Sequence, residues 1–183
     1  MRSIRCMSAS MVDVSADPKP LETGPGTETD ADAAALARHA GDLADAIAKA
    51  LPPFIVAGIR RVGLERRVAI TPELEAAGSE AGRRAVEEVM PPLRRLLEAD
   101  IDDQATTPLE VVRRATPFAT AVLYAAGVAE GDRDSFERER FPDDVFGLGP
   151  AAFADLGPDV QERAFTWGAA KAHVHLVRRR GRP

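Results

Sequence analysis

The sequence contains one cysteine, Cys6, and few aromatic residues. A single cysteine excludes an intramolecular disulfide and a zinc site built from several thiolates, which fits a reducing cytoplasm. Aromatic residues make up 5% of the chain, whereas alanine is used heavily. This balance favours closely packed helices over a sheet-rich core. We therefore expect an all-α fold.

Long apolar runs are also missing. The run from Phe54 to Ile59 is far shorter than the roughly 18 residues that cross a bilayer. The N-terminal sequence MRSIRCMSASMV is interrupted by arginine and serine, unlike the continuous apolar stretch of a secretory signal. We therefore expect no membrane insertion and no export, and we predict a cytoplasmic protein.

The chain has no excess of positive charge, because its 24 Lys and Arg residues are outnumbered by 29 Asp and Glu residues. Domains that attach to nucleic acid through a whole surface are normally basic. Any contact with nucleic acid must therefore be local.

Signatures of common enzymes and metal sites are absent. No serine lies in a G-x-S-x-G turn, and the glycines at 24 and 26 lack the Lys-Ser/Thr of a phosphate loop. The acidic segment from Asp100 fails the calcium-loop pattern, since Ala105 and Val111 replace the required glycine and glutamate. His173 and His175 would diverge by about 200° on a helix, and His39 adds no third ligand by spacing. We assign no catalytic, cofactor-binding or metal-binding residue, which favours a non-catalytic protein.

The composition divides the chain into a tail and one domain. Residues 1–30 are rich in Ser, Asp, Pro, Gly and Thr, which is typical of a disordered tail. Met1, Met7 and Met11 are alternative translation starts within it. Residues 31–180 are predicted to form a single helical domain of ordinary size, and residues 181–183 form the C-terminal end.

Proline and capping signals set the predicted helix limits. A first helix from Ala31 is expected to stop at Pro52-Pro53, and residues 54–70 fit a short helix followed by an extended piece. Thr71-Pro72 predicts the start of a second helix, which Pro91-Pro92 would break.

The C-terminal half carries a capping box at Thr107-Pro108-Leu109-Glu110. The apolar stripe after it continues through Pro117, so we predict one helix kinked at a solvent-facing Pro117. The last helix is predicted from Pro158 to Arg179, with apolar residues around most of its circumference. The expected fold is a compact, bundle-like all-α domain around this buried C-terminal helix, with an irregular aromatic-rich segment before it.

Two residue groups are candidates for function. The first comprises polar and aromatic residues suited to a pocket or interface, although core anchoring and helix-end charge explain them more simply: Asp143, Asp144, Trp167 and His175. The second comprises arginines that would hold an anion or nucleic acid if they met in space: Arg60, Arg61, Arg66 and Arg67 with Arg178, Arg179 and Arg180.

Three segments, LLEADIDDQATTPLEVVR, FPDDVFGLGPAAFADLGP and WGAAKAHVHLVRRR, resemble an uncharacterised family of small actinobacterial proteins over roughly residues 93–180. The resemblance implies a helical, cytoplasmic bacterial protein and no particular activity. From the residues we expect a non-catalytic helical interaction or regulatory protein with a protein partner. Two alternatives stay open: a nucleic-acid-associated factor that uses the arginine groups, and an enzyme whose site is built from scattered residues.

Overall fold

The computed structural model describes residues 25–99, 106–133 and 135–180. Within these ranges the chain forms helices joined by irregular segments and contains no strand, so the all-α fold class is confirmed. The acidic residues Asp100, Asp102 and Asp103, which belong to the segment compared with a calcium loop, lie outside the described residues. The elements are α1 (Pro25–Glu65), α2 (Pro72–Glu98), α3 (Pro108–Arg113), α4 (Thr116–Ala125), α5 (Ser135–Arg140), a short 3-10 helix (Phe153–Leu156) and α6 (Pro158–Arg180).

Helix α1 is the centre of the fold. It starts at Pro25, inside the stretch predicted as tail, and packs along both α2 and α6 while also contacting α4 and the 3-10 helix. Its side chains Leu43, Ile47 and Leu51 are completely buried. The C-terminal helix α6 lies on one side of it, and Phe165 of α6 is 80% exposed. The prediction of a buried, central C-terminal helix is therefore wrong.

Both double prolines lie inside continuous helices, so the predicted breaks at these positions are wrong. Helix α1 runs through Pro52-Pro53 and α2 runs through Pro91-Pro92. A proline removes the bond to the carbonyl four residues earlier. In α2 the carbonyls that lose this bond belong to the exposed residues Glu87 and Glu88, where water can replace it. Burial of one apolar face along the whole helix then outweighs the local cost.

Helices α1 and α2 run antiparallel and approach closely. A methyl group on Gly82 of α2 would lie only 2.8 Å from the Cα of Pro52 in α1. Two ion pairs flank this crossing: Arg60 with Glu75 at 2.5 Å, and Arg94 with Asp45 at 2.6 Å. The absence of a side chain at Gly82 therefore allows this close approach.

The turn after α1 agrees with a helix followed by an extended piece. The backbone N–H of Val68 donates to Gly63 at 2.8 Å, and the N–H of Arg67 donates to Leu64 at 3.1 Å. Arg67 has a φ of 57°, so this is a Schellman ending with an arginine at the position that glycine usually occupies. The chain then extends to Thr71, whose hydroxyl caps α2 by accepting from the N–H of Leu74 at 3.3 Å.

The capping box at Thr107 is confirmed, because the side chains of Thr107 and Glu110 each accept from the other's backbone N–H. The predicted single kinked helix is wrong, since α3 and α4 are separate. Arg114 and Ala115 donate instead to carbonyls three residues earlier, which tightens the turn before Pro117. Pro117 has no N–H to bond Arg113, and it is exposed as predicted.

Candidate interaction surface

An open groove of about 660 Å³ lies between the N-terminal half of α2 and α4. Its floor is apolar, with the buried residues Leu74 and Ala81 from α2 and the half-buried residues Phe118 and Val122 from α4. The two helices pack directly against each other beneath it. The groove is therefore a trough on the surface of the packed core.

Alanines on the facing walls keep the groove open. Ala77 of α2 and Ala121 and Ala125 of α4 line it, and all three are exposed. An alanine side chain is too short to reach across to the opposite helix, so the space between the upper walls is unfilled. Ala77 therefore lies outside the buried face of α2, which includes Leu74, Ala81 and Ala85.

The rim of the groove on α2 is acidic. The pKa of Glu73 is lowered because its carboxylate accepts from its own backbone N–H and from the Thr71 hydroxyl. The pKa of Glu80 is lowered mainly by its hydrogen bond with Arg83. Both carboxylates line the groove and are ionised at neutral pH. Both Glu80 oxygens accept from the Arg83 guanidinium and Arg84 also lines the groove, so the unpaired negative charge of the rim is mainly that of Glu73.

The other polar groups of the groove are already engaged. The Thr71 hydroxyl caps α2, and the Arg84 guanidinium stacks over the Phe118 ring, 5.6 Å from its centroid. Small-molecule sites usually combine an apolar lining with a few convergent polar groups. This groove instead has an apolar floor and a charged rim, an arrangement that suits the apolar face of an amphipathic helix.

A second, mixed-polarity cavity of about 310 Å³ contains two of the candidate residues, Asp143 and Asp144. Asp144 is buried and forms an ion pair of 3.0 Å with Arg113. Its carboxylate also accepts from the backbone N–H groups of Leu148 at 2.6 Å and Gly149 at 2.8 Å. Asp144 therefore shapes the loop that contains it, whereas Asp143 is exposed.

Two arginines fasten this loop to the domain. Arg113 donates to the carbonyl of Pro150 at 2.8 Å and stacks 3.5 Å from the centroid of Phe141. Arg133 donates to the carbonyls of Phe141 and Asp144 at 2.9 and 3.0 Å. The irregular segment is thus held by charged hydrogen bonds as well as by aromatic residues.

The remaining candidates, Trp167 and His175, lie on α6 and do not line that cavity. The Trp167 ring is buried, its Nε1–H donates to the carbonyl of Leu97 at 3.2 Å, and Lys171 lies over the ring at 4.9 Å. His175 is half-buried, because it lies between the buried face and the exposed face of α6. The structure thus brings Asp143 and Asp144 together but does not join them to Trp167 and His175.

The two arginine groups lie at opposite ends of α1. Helix α6 runs antiparallel to α1, and His173 near its end is 3.5 Å from Asp32. Arg178 and Arg179 follow beyond that point, whereas Arg60 is about 42 Å away along α1 at 1.5 Å per residue. The condition for a joint anion site, that the two groups meet, is therefore not fulfilled.

Most of the first arginine group serves the fold. Arg60 pairs with Glu75, and Arg61 bonds Glu65 and the carbonyl of Gly147. The Arg66 guanidinium lies directly against Gly131, and Arg67 terminates α1. In the second group Arg179 is exposed, and the side chain of Arg180 lies outside the described residues.

The described part of the chain has neither a cluster of metal-ligating side chains nor a membrane-spanning helix. No three His, Cys, Asp or Glu side chains among the described residues are grouped so as to hold a metal ion. No helix within the same ranges has the length and apolar character needed to cross a membrane.

Sequence reasoning did not identify the groove. Its signal is alanine at outward-facing positions of two helices, and alanine is common at any helical position. Only the packing of α2 beside α4 turns these alanines into the walls of one trough. Comparison of the chain with protein-family models, with curated proteins and with solved structures found no match.

Proposed function

We propose that this protein is a non-catalytic helical interaction or regulatory protein that binds an amphipathic helix of a partner protein in the groove between α2 and α4. The observation that carries the proposal is the combination of an apolar, alanine-walled floor with an ionised acidic rim. We place this activity in the cytoplasm, in line with the sequence expectation.

The chemistry of the groove specifies the partner segment. Its apolar face would bury residues at positions i, i+3, i+4 and i+7 against Leu74, Phe118 and Val122. A Lys or Arg residue beside that face would lie next to Glu73, whose carboxylate is not in an ion pair with Arg83 as that of Glu80 is, and opposite charge would set the orientation of binding. The proposed partner is therefore a basic amphipathic helix.

Two of the four candidate pocket residues, Asp144 and Trp167, have structural roles that account for them. Asp144 holds two backbone N–H groups and Arg113, and Trp167 caps a carbonyl at the end of α2. These roles favour an interaction protein over an enzyme built from the same residues.

Affinity capture from the native cell tests the proposal when wild type is compared with a groove-blocking variant. Ala121→Trp places an indole in the open trough, so we expect it to lose a stoichiometric partner that wild type retains. Ala37→Trp is the matched control, because Ala37 is exposed on α1 outside the groove lining. Capture of the same partner by wild type and both variants would contradict the proposed site.

Binding to nucleic acid is the other outcome to examine. Salt-dependent association with DNA or RNA that weakens when Arg178 and Arg179 are replaced by alanine would favour the nucleic-acid alternative. A protein that does not bind DNA or RNA even at low salt would rule out the nucleic-acid alternative.

A further inference from the structure

Helix α6 carries two apolar stripes, and only one of them is buried. The first faces α1 and includes Val160, Trp167 and Val174. The second consists of Phe165, Ala169, Ala172 and Leu176, which all lie within about 60° of one another at 100° per residue. All four are exposed, with Phe165 at 80% and Leu176 at 54%.

The exposed stripe has the spacing of a helix-packing seam. Its members follow one another at intervals of four, three and four residues, which is the pattern that packs against a second helix. The two large side chains lie at its ends, and the alanines between them permit close approach of two backbones. The four residues form one continuous apolar strip, and continuous exposed apolar surface marks interaction sites more often than singly scattered residues do.

The order of residues along the stripe is self-complementary in the antiparallel sense. The midpoint between Phe165 and Leu176 falls between Ala170 and Lys171, and the midpoint between Ala169 and Ala172 is the same. A two-fold axis at this point would pack Phe165 of one copy against Leu176 of a second copy. It would also place the alanines of both copies at the centre, as an isologous interface requires.

Charges beside the stripe follow the same symmetry. Glu162 lies near its N-terminal end and Arg179 near its C-terminal end, both are exposed, and their midpoint again falls between Ala170 and Lys171. Antiparallel pairing brings Glu162 of each copy to the level of Arg179 of the other. Parallel pairing would instead place arginine beside arginine and glutamate beside glutamate.

We propose that the protein forms a homodimer through antiparallel pairing of the exposed stripe of α6 with the same stripe of a second copy. The seam from Phe165 to Leu176 is only about 17 Å long at 1.5 Å per residue, so the interface is small and the dimer is in concentration-dependent exchange with monomer. The surface is separate from the groove between α2 and α4, so each proposal can fail without the other.

Sedimentation velocity of the full chain over a wide concentration range tests this inference. We expect wild type to shift from monomer to dimer, and Phe165→Glu to weaken the dimer about 100-fold or more, because two copies of the side chain leave the interface. Leu64→Glu is the matched control: Leu64 is 68% exposed on α1, and we expect its replacement to leave dimerisation unchanged. Circular dichroism of both variants verifies that they are folded.

A charge exchange tests the antiparallel register. Glu162→Arg alone or Arg179→Glu alone should weaken the dimer by up to about 10-fold, and the double variant should restore it. A wild type that stays monomeric at all concentrations would overturn the proposal. So would a Phe165→Glu variant that dimerises like wild type, or a double variant weaker than either single one. Dependence of a heterologous partner on Phe165 in a monomeric protein would assign the stripe to that partner instead.

Discussion

Gly82 of α2 lies against Pro52 of α1 at the point where the two helices cross. The Cα of Pro52 is 2.8 Å from the position of a Cβ on Gly82, and the Pro52 carbonyl oxygen is 3.2 Å from it. These atoms belong to backbone and ring, so they cannot move aside as a flexible side chain would. The close approach brings the apolar faces of α1 and α2 together. It also fixes the position of α2, which forms one wall of the groove.

The crossing predicts that Gly82→Ala destabilises the protein even though alanine favours helix. We expect a loss of about 1 to 3 kcal/mol in the free energy of unfolding, because the methyl group forces α2 away from α1. Gly41→Ala is the control, since Gly41 in α1 has no atom within 4 Å of the added methyl. It should stabilise by about 0.5 to 1 kcal/mol through helix propensity alone. Urea denaturation of both variants measures the difference.

The buried ion pair predicts a large effect at Asp144. Asp144→Ala leaves the Arg113 charge without its carboxylate and two backbone N–H groups without their acceptor. We therefore expect the free energy of unfolding to fall by about 3 to 5 kcal/mol. Asp143→Ala, at the exposed neighbouring residue, should change stability by less than about 0.5 kcal/mol. Equal effects in thermal denaturation would show that Asp144 does not organise the loop.

The hydrogen bond from Trp167 to the carbonyl of Leu97 predicts that removal of the indole N–H lowers the free energy of unfolding. Trp167→Phe keeps a large ring but leaves a carbonyl at the end of α2 without its donor, which costs about 1 to 3 kcal/mol. Gln161→Ala, at an exposed position on the same helix outside the apolar stripe, should stay within about 0.5 kcal/mol of wild type in its free energy of unfolding. Chemical denaturation followed by circular dichroism distinguishes the two variants.

The left-handed backbone at Arg67 predicts a stabilising substitution. Arg67→Gly relieves the steric cost of a φ of 57° in a residue that has a side chain. We therefore expect the free energy of unfolding to rise by about 1 kcal/mol. Arg38→Gly, inside α1, should instead lose about 1 kcal/mol. A destabilised Arg67→Gly variant would show that the Arg67 side chain contributes more than its backbone conformation costs.

The parts of the fold that the sequence predicted are those encoded within a few residues. Thr71 and Thr107 are followed by proline and by the residues that complete a cap, so both helix starts were predictable. Pro52-Pro53 and Pro91-Pro92 misled the same reasoning, because a local proline cost was weighed without the burial gained along the rest of each helix.

Surfaces were less predictable than helices, because they depend on which elements become neighbours. The apolar residues around α6 suggested burial on all sides, whereas they form one buried stripe and one exposed stripe. Asp143 and Asp144 are neighbours in the sequence, whereas the ion pair of Asp144 with Arg113 joins positions 31 residues apart. No periodicity within one helix contains that information.

If the groove between α2 and α4 receives a helix of a partner protein, a photoreactive side chain within the groove will crosslink to that helix. A photoreactive benzophenone amino acid is placed at Ala121 or, as control, at Ala37, and the full chain is irradiated in the native cell. We expect one predominant crosslinked protein from Ala121, joined through a basic amphipathic helix, and no such product from Ala37. The same products from both positions, or no crosslink from Ala121, would contradict helix binding in the groove.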